Sequence, residues 1–282
     1  MVISQPMVIE RLNRKQYEFL CQFIYKETGI VLGDAKVEMV HRRLSKLVKT
    51  KGFDSLASYY QYFVAHQQEE KSDLVNALTT NLTRFFRESH HFDYLKNHFI
   101  PFLLVRNKST RRIRIWSSAC STGEEPYSIA MLLVSHFGQY LQHWDIKILA
   151  TDIDTDVLNI AMEGIYPKAA ISDIPADLRS KCLRAVGNDS VEMASQVRSL
   201  ITFKPLNLLE RWPMKGPFDV IFCRNVIIYF DKVTQQQLFH RFEQYLSDES
   251  LLILGHSESL GGAAALFTNQ GKTIFSKQAQ DA

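Results

Sequence analysis

The sequence lacks most of the features that would assign a chain to a special class at sight. Four cysteines fall among 282 residues, at Cys21, Cys120, Cys182 and Cys223. None forms a Cys-x-x-Cys pair, which argues against a structural zinc site or disulfide framework and leads us to expect a reduced, cytosolic protein. No apolar run approaches the ~20 residues that a membrane-spanning helix needs. Met1 to Lys15 has no charged start followed by an apolar core, so no signal peptide is expected. The formal net charge of +3, with a pI near 8.6, is too mild to point to nucleic acid. Internal repeats and low-complexity segments are also missing. What remains, 46% hydrophobic and 22% charged residues, is the composition of an ordinary globular protein with room for two modest domains.

The first ~80 residues read as helices only. Asn13 with Gln16 resembles a capping box ahead of Tyr17, Leu20, Cys21 and Ile24, and Gly29 is a plausible stop. A second helix carries Val37, Val40, Leu44 and Leu47 on one side. Arg42, Lys46 and Lys49 fall on another face at i, i+4, i+7, with Arg43 beside it. Lys36 to Lys51 holds six basic residues against one acid, Glu38. Asp54 could cap a third helix, and a fourth is expected over 71–82. After Ile100 the pattern changes. Strands are predicted at 113–116, 146–150, 200–203, 218–222 and 250–254, with helices over 126–137, 155–162 and 233–246 between them. Thr273 to Phe275 is expected as a final edge strand. Alternating apolar strands and helices predict a doubly wound α/β sheet.

In such a sheet ligands sit beyond the carboxyl ends of the strands, and three strand ends here carry suitable polar residues. The first runs from Trp116 through Gly123 to Glu124 and Glu125. Its small residues allow close backbone approach, and Gly123 allows a tight turn. The full Gly-x-Gly-x-x-Gly pattern is missing. Two acids at a helix start repel a pyrophosphate but suit a ligand with an ammonium group, as S-adenosylmethionine (SAM) has. The second is Ala150-Thr151-Asp152-Ile153-Asp154, where an acid can accept from both ribose hydroxyls. The third is Cys223-Arg224-Asn225. Each alone has a structural alternative: a capped helix start, a helix cap, a turn. His90-His91 is expected as a helix-surface pair, not a metal site, and Cys120 and Cys223 as small fillers of the pocket wall.

Five blocks then carry a family resemblance: Asn81 to Glu88 (NLTRFFRE), Ser121 to Ser128 (STGEEPYS), Ala150 to Asp154 (ATDID), Pro205 to Leu209 (PLNLL) and Phe222 to Phe230 (FCRNVIIYF). In this order, over nearly the whole chain, they resemble the CheR-type chemotaxis receptor glutamate methyltransferases. The resemblance implies a Rossmann-like SAM-dependent methyltransferase domain over 81–282. It implies a helical substrate-recognition domain over 1–80 and a small inserted β-subdomain at about 164–200. By position it implies that Asn81, Thr83 and Arg87 reach the cofactor, with Glu125 or its neighbour Glu124 on the methionine ammonium. Asp152 would take the ribose, Asn207 and Leu208 border the adenine, and Asn225 and Val226 close the pocket. Glu125 is favoured over Glu124, but the choice stays open at this point. No metal is expected.

The implied reaction is methyl esterification of receptor glutamates, leaving S-adenosylhomocysteine, by a cytoplasmic and monomeric enzyme. Arg87 and Tyr229 are the candidate catalytic residues. Arg42, Arg43 and Lys46 are the candidate substrate-binding residues, set to face the receptor's acidic cytoplasmic helical bundle. Arg184 to Ser199 looks a few residues shorter than in members that dock a receptor tail peptide, so tail binding is not expected. Neither nucleic acid nor membrane insertion is expected: the Asn/Asp-Pro-Pro-Tyr/Phe block of base methylation is missing. The alternatives are a SAM methyltransferase for another substrate, or a SAM-sensing signalling protein with little turnover.

Overall fold

A computed structural model describes residues 11–277; most of the stretch read for a signal sequence, 1–10, lies outside them. The chain divides into two compact units, Met1–Thr80 and Asn81–Ala282. In the first, helix α1 (Arg14–Thr28) begins at a reciprocal cap. Asn13 Oδ1 accepts the Gln16 N–H and Gln16 Oε1 accepts the Asn13 N–H, both at 3.0 Å, satisfying two donors that a helix start leaves open. Gly29 ends it with φ +74°. Helix α2 (Val37–Thr50) buries Val40, Leu44 and Val48, the i, i+4, i+8 row, and leaves Arg42, Lys46 and Lys49 exposed. Helix α3 (Leu56–Ala65) is capped by Ser55, not Asp54, because Ser55 and Ser58 make a capping box of their own. Helix α4 (Gln67–Leu78) starts four residues earlier than the sequence suggests. Glu69 and Glu70 lie in its first turn, where acids complement the helix dipole, and Thr79 leaves it in extended conformation.

The second unit opens with helices α5 (His90–Tyr94) and α6 (Ile100–Arg106), joined by a π-helical turn. Its main sheet contains strands β1 (Arg112–Ser117) and β2 (Asp145–Asp152) with helix α7 (Glu124–Phe137) between them, and helix α8 (Thr155–Glu163) follows β2. A three-stranded antiparallel sheet comes next: β3 (Ile165–Pro167), β4 (Leu183–Val186) and β5 (Ser190–Met193), in the order β3-β5-β4. Helices α9 (Ala176–Cys182) and α10 (Ser195–Arg198) accompany it. Val197 lies in α10, where its N–H donates to Ala194 O and its side chain is fully buried. The main sheet resumes with β6 (Ile201–Pro205) and β7 (Phe218–Cys223), then helix α11 (Lys232–Tyr245), β8 (Leu246–Leu254), β9 (Phe267–Gly271) and β10 (Ile274–Lys277).

The seven strands run in the order β6-β2-β1-β7-β8-β10-β9. The first five are parallel neighbours, and β10 is antiparallel to both β8 and β9. The final strand is therefore internal to the sheet, and β9 is the edge. That strand escapes the hydrophobic pattern because only Phe267 of its five residues is buried. All six residues of β7 are buried, as expected for a parallel strand covered on both faces. Strand order reverses between β1 and β7, which opens the ligand crevice beyond their carboxyl ends. His91, expected on a helix surface, is wholly buried. Its helix packs inward through Phe92, stacked on Phe222 of β7.

Candidate active site

The loop after β1 is tied to its neighbours by backbone bonds that leave little freedom. Ser118 N–H donates to Phe222 O and Cys120 N–H to Thr151 O, both at 2.9 Å, linking β1 to the ends of β7 and β2. The turn closes at Gly123, φ +97°, where a Cβ would stand 2.9 Å from both Ala161 Cβ and the Tyr166 hydroxyl. Glycine is required there by conformation and by packing together. Cys120 and Cys223 are buried, and burial pushes both thiols well above their usual range.

Asp152 closes β2. Its Oδ2 accepts Ser121 N–H at 2.8 Å and its Oδ1 accepts Asp154 N–H at 3.0 Å. Burial, with the Asp154 charge adding to it, pushes the Asp152 carboxyl up to about 6 against these backbone bonds. Asp154 caps α8 and receives the Asn81 side-chain amide at 2.6 Å. Asn81 O accepts from the Ser121 hydroxyl, so the 81–88 segment is pinned to this corner twice. Leu206 N–H donates to Asp152 O and brings the Asn207–Leu208 segment alongside.

A second cluster lies at the ends of β1 and β7. Glu124 and Glu125 are both buried, but their carboxylates turn different ways. Glu124 accepts from the Thr122 hydroxyl within its own loop, and burial raises its pKa. Glu125 accepts from Ser117 at 2.7 Å and from the Arg224 guanidinium at 2.8 Å. Arg224 also contacts Glu88 Oε2 at 3.2 Å and donates to Arg87 O. Glu88 bonds Asn225 and His256 as well. Burial alone would raise the Glu88 carboxyl; His256, Arg224 and Asn225 outweigh it and hold it at about 2.

Non-glycine residues with left-handed backbone gather at the same place: Phe86, Glu88, Ser121 and Asn225, with φ of 50–57°. Such conformations cost energy and concentrate where surrounding structure over-determines them. Arg87 donates to Leu82 O at 2.7 Å. Thr83 and Val226 are half-buried, and Tyr229 lies half-buried on the 3-10 turn after Val226. Asn207 makes an Asx turn onto Leu209 N–H and leans on Glu210, while Leu208 is buried.

Four residues here were not singled out by sequence reasoning. Arg224 lies inside a quoted block, but its role depends on Glu125, 99 residues away. Glu258 sits in Gly255-His256-Ser257-Glu258, a polar stretch at the end of β8 of the same kind that marked the other strand ends. Arg241 and Trp212 hold the Asn207–Glu210 loop and carry no local signal. Glu88, His90 and His91 bring ligand atoms within 4.8 Å of one another, yet the Arg224 guanidinium already lies 3.2 Å from the Glu88 carboxylate. A divalent ion there would meet a like charge.

In the first unit, Arg42 and Lys46 are exposed, but Arg43 is committed elsewhere. Its guanidinium donates to Leu78 O at 2.7 Å and to the Thr80 hydroxyl at 2.9 Å, closing the carboxyl end of α4. An arginine that satisfies a helix end is poorly available as a docking contact.

Comparison with known proteins decides the family. Residues 81–275 match the model described as "CheR methyltransferase, SAM binding domain", and residues 15–79 match "CheR methyltransferase, all-alpha domain". The chain belongs to the CheR methyltransferase family. A probable chemotaxis protein methyltransferase of Rhizobium etli is 41% identical over 89% of this chain and 96% of its own length. The chemotaxis protein methyltransferases of Escherichia coli and Salmonella typhimurium are 40% and 39% identical over 94% of this chain and about 90% of theirs. The protein is a SAM-dependent chemotaxis receptor methyltransferase, that is, a protein-glutamate O-methyltransferase. Among the described residues no helix is long and apolar enough to cross a membrane.

Proposed function

We propose specific roles for the residues at the ends of β1, β2, β6 and β7 in holding SAM and directing its methyl group to a receptor glutamate. The observation that supports this best is the pair of buried carboxylates, Asp152 at the end of β2 and Glu125 in the first turn of α7, bonded to Ser117 at the end of β1. Each of their four oxygens receives at least one protein donor, and a carboxylate oxygen can accept two. Asp152 would accept the ribose hydroxyls and Glu125 the methionine ammonium. Glu124 is the weaker candidate, because its carboxylate bonds within its own loop. Asn207 and Leu208 would border the adenine. Asn225 and Val226 would close the other end, and Asn81, Thr83 and Arg87 would cover it from the 81–88 segment.

Bound SAM supplies an electrophilic methyl group on a sulfonium; orientation and exclusion of water fall to the chain. A glutamate of pKa ~4.3 is already ionised at neutral pH, so no general base is needed. Positioning can supply ~7–11 kcal/mol at its best. Arg87, half-buried with one backbone bond to release, would orient the incoming carboxylate, with Tyr229 beside it. Arg87→Ala is expected to weaken SAM binding only modestly but, at saturating SAM, to methylate about a hundredfold more slowly, the cost of a misplaced reactant. A wild-type rate removes Arg87 from the mechanism.

For the receptor's acidic helical bundle we propose the α2 face, carried by Arg42 and Lys46 with Lys49, and not by Arg43. Recognition of the bundle is favoured over its tail peptide, and either target would have the enzyme work in the cytoplasm. The decisive assay incubates the protein and tritiated SAM with receptor-rich membranes. Base-labile label is expected, whereas label recovered as stable methylamine overturns esterification. Reversing Arg42 and Lys46 to Glu is expected to lower receptor methylation and leave SAM affinity unchanged.

A further inference from the structure

We infer that Glu258 is a positioning residue of the methyl-transfer site, its carboxylate holding the left-handed Asn225 backbone from which Asn225 and Val226 face the crevice. The inference rests on the cofactor role proposed above for those two residues. Strand β8 ends at Leu254, and a turn closed by Glu258 N–H on Gly255 O folds the Glu258 side chain back toward the strand end. There it gathers backbone donors from two loops: Gly255 N–H at 2.7 Å, Asn225 N–H at 2.8 Å and Ile228 N–H at 3.3 Å. Glu258 is 5% exposed, and among the described residues no ion pair serves it. A buried carboxylate without a cation persists only where several donors converge on it. Two of these donors, Asn225 N–H and Ile228 N–H, belong to the loop that carries Asn225, Val226 and Tyr229.

The backbone explains why such a hold is needed. Asn225 has φ +56°, a conformation that asparagine tolerates better than most residues but does not prefer. Turned this way, its N–H meets Glu258 and its side-chain amide approaches Glu88 Oε1 at 3.4 Å. Gly255 lets the two loops meet. A Cβ there would lie 2.4 Å from Asn225 Nδ2, 2.9 Å from Asn225 N and 2.9 Å from Glu258 Oε2. Burial raises the Glu258 pKa, and the backbone N–H groups that it accepts act against that rise. Glu258 touches no reacting atom in this arrangement and acts through Asn225.

The test measures SAM affinity by calorimetry in the full chain, beside thermal unfolding, for Glu258→Gln, Glu258→Asp, Gly255→Ala and Asn225→Ala. Gln keeps the shape but presents an NH2 group and a weaker acceptor to the same donors. Glu258→Gln is expected to weaken SAM binding about tenfold or more, the scale of lost hydrogen bonds to a charged acceptor. Glu258→Asp is expected to restore part of the loss. In an Asn225→Ala background the Glu258→Gln change should add less than about twofold, since the two act as one unit. Full SAM affinity in Glu258→Gln, with Asn225→Ala impaired, overturns the inference. Full affinity in Asn225→Ala instead overturns the cofactor role on which it rests. Should Glu258→Gln fail to fold, Gly255→Ala decides, because its Cβ would press on both Asn225 and the Glu258 carboxylate and so part the two. A tenfold loss supports the inference, and wild-type affinity overturns it.

Discussion

The two loops that flank the crevice are held by side chains of opposite charge. On the Asn225 side, the Glu258 carboxylate collects three backbone N–H groups. On the Asn207 side, the Arg241 guanidinium collects carbonyls: Leu208 O at 2.8 Å, Leu209 O at 3.5 Å and Glu210 O at 2.6 Å. Arg241 also lies 4.0 Å over the Trp212 ring, and Trp212 Nε1 donates to Leu208 O at 3.1 Å. Both loops leave the sheet where no ladder partner is available, and buried backbone groups must still be satisfied. The left-handed turn at Asn225 aims donors inward and so calls for an anion. The Asx turn at Asn207 aims acceptors inward and calls for a cation. The sides also differ in burial, since Glu258 is nearly inaccessible and Arg241 only half-buried. Burial makes the Asn225 side the costlier one to disturb.

The largest effect should come from Arg224→Met, which strips the Asn225 side of its internal cation. Glu88 and Glu125 would then be left near each other without Arg224, and breaking a buried pair in this way costs about 3–5 kcal/mol. Urea unfolding should show that loss; a midpoint near wild type would mean the ion network contributes little to the fold. Arg241→Met should do less to stability and more to the ligand. Losing bonds from a half-buried guanidinium is expected to cost about 1–2 kcal/mol, or roughly 5–30-fold in SAM affinity if the loop's order is what suffers. Its kcat at saturating SAM should stay near wild type. Arg241→Lys should not rescue it, because a lysine cannot span three carbonyls while stacking on an indole. An unfolding loss in Arg241→Met equal to that in Arg224→Met would erase the distinction between the sides.

This contrast also marks where the sequence was readable. Elements defined by their own periodicity were legible: the Asn13–Gln16 cap, the apolar run of β7, the α7 start after Gly123. The β9 edge was not, since four of its five residues face solvent. His91 misled because its burial comes from Phe92 docking on Phe222, a contact between distant segments. At the site, the strand-end acids stood out as short polar blocks, and each such block reports its own loop. The residues that tie loops together did not stand out. Glu258 meets Asn225 across 33 residues, and Arg241 meets Leu208 across 33. A single Glu after a strand, or one Arg in a helix, carries no mark of such a partner. Arg43 shows the converse: its helical position suggested a docking face, while its reach to Leu78 and Thr80 is a tertiary fact.

The smallest predicted effect separates the ribose acid from both loop clamps by its dependence on pH. Asp152 is pushed up to about 6, first by burial and then by the Asp154 charge. Its folded-state pKa lies above the usual aspartate value of ~3.9, so the folded chain holds a proton between about pH 4 and pH 6 that the unfolded chain has released. The sign for stability is therefore inverted from the usual aspartate case: this group favours folding at low pH, and that contribution is lost as pH rises through about 6. For the ligand the sign is opposite, because an ionised Asp152 can accept from both ribose hydroxyls and a protonated one cannot. SAM affinity should fall as pH drops below about 6, by up to about tenfold per unit. Glu124 and Glu258 are also raised by burial and could bend the same curve, whereas Glu88, held at about 2, could not. Asp152→Asn distinguishes them: it should bind more weakly at pH 8 and lose the bend near pH 6. Arg241→Met should shift the whole curve and keep the bend. A bend that survives in Asp152→Asn would transfer the titration to Glu124 or Glu258 and remove the ribose contact from its pH dependence.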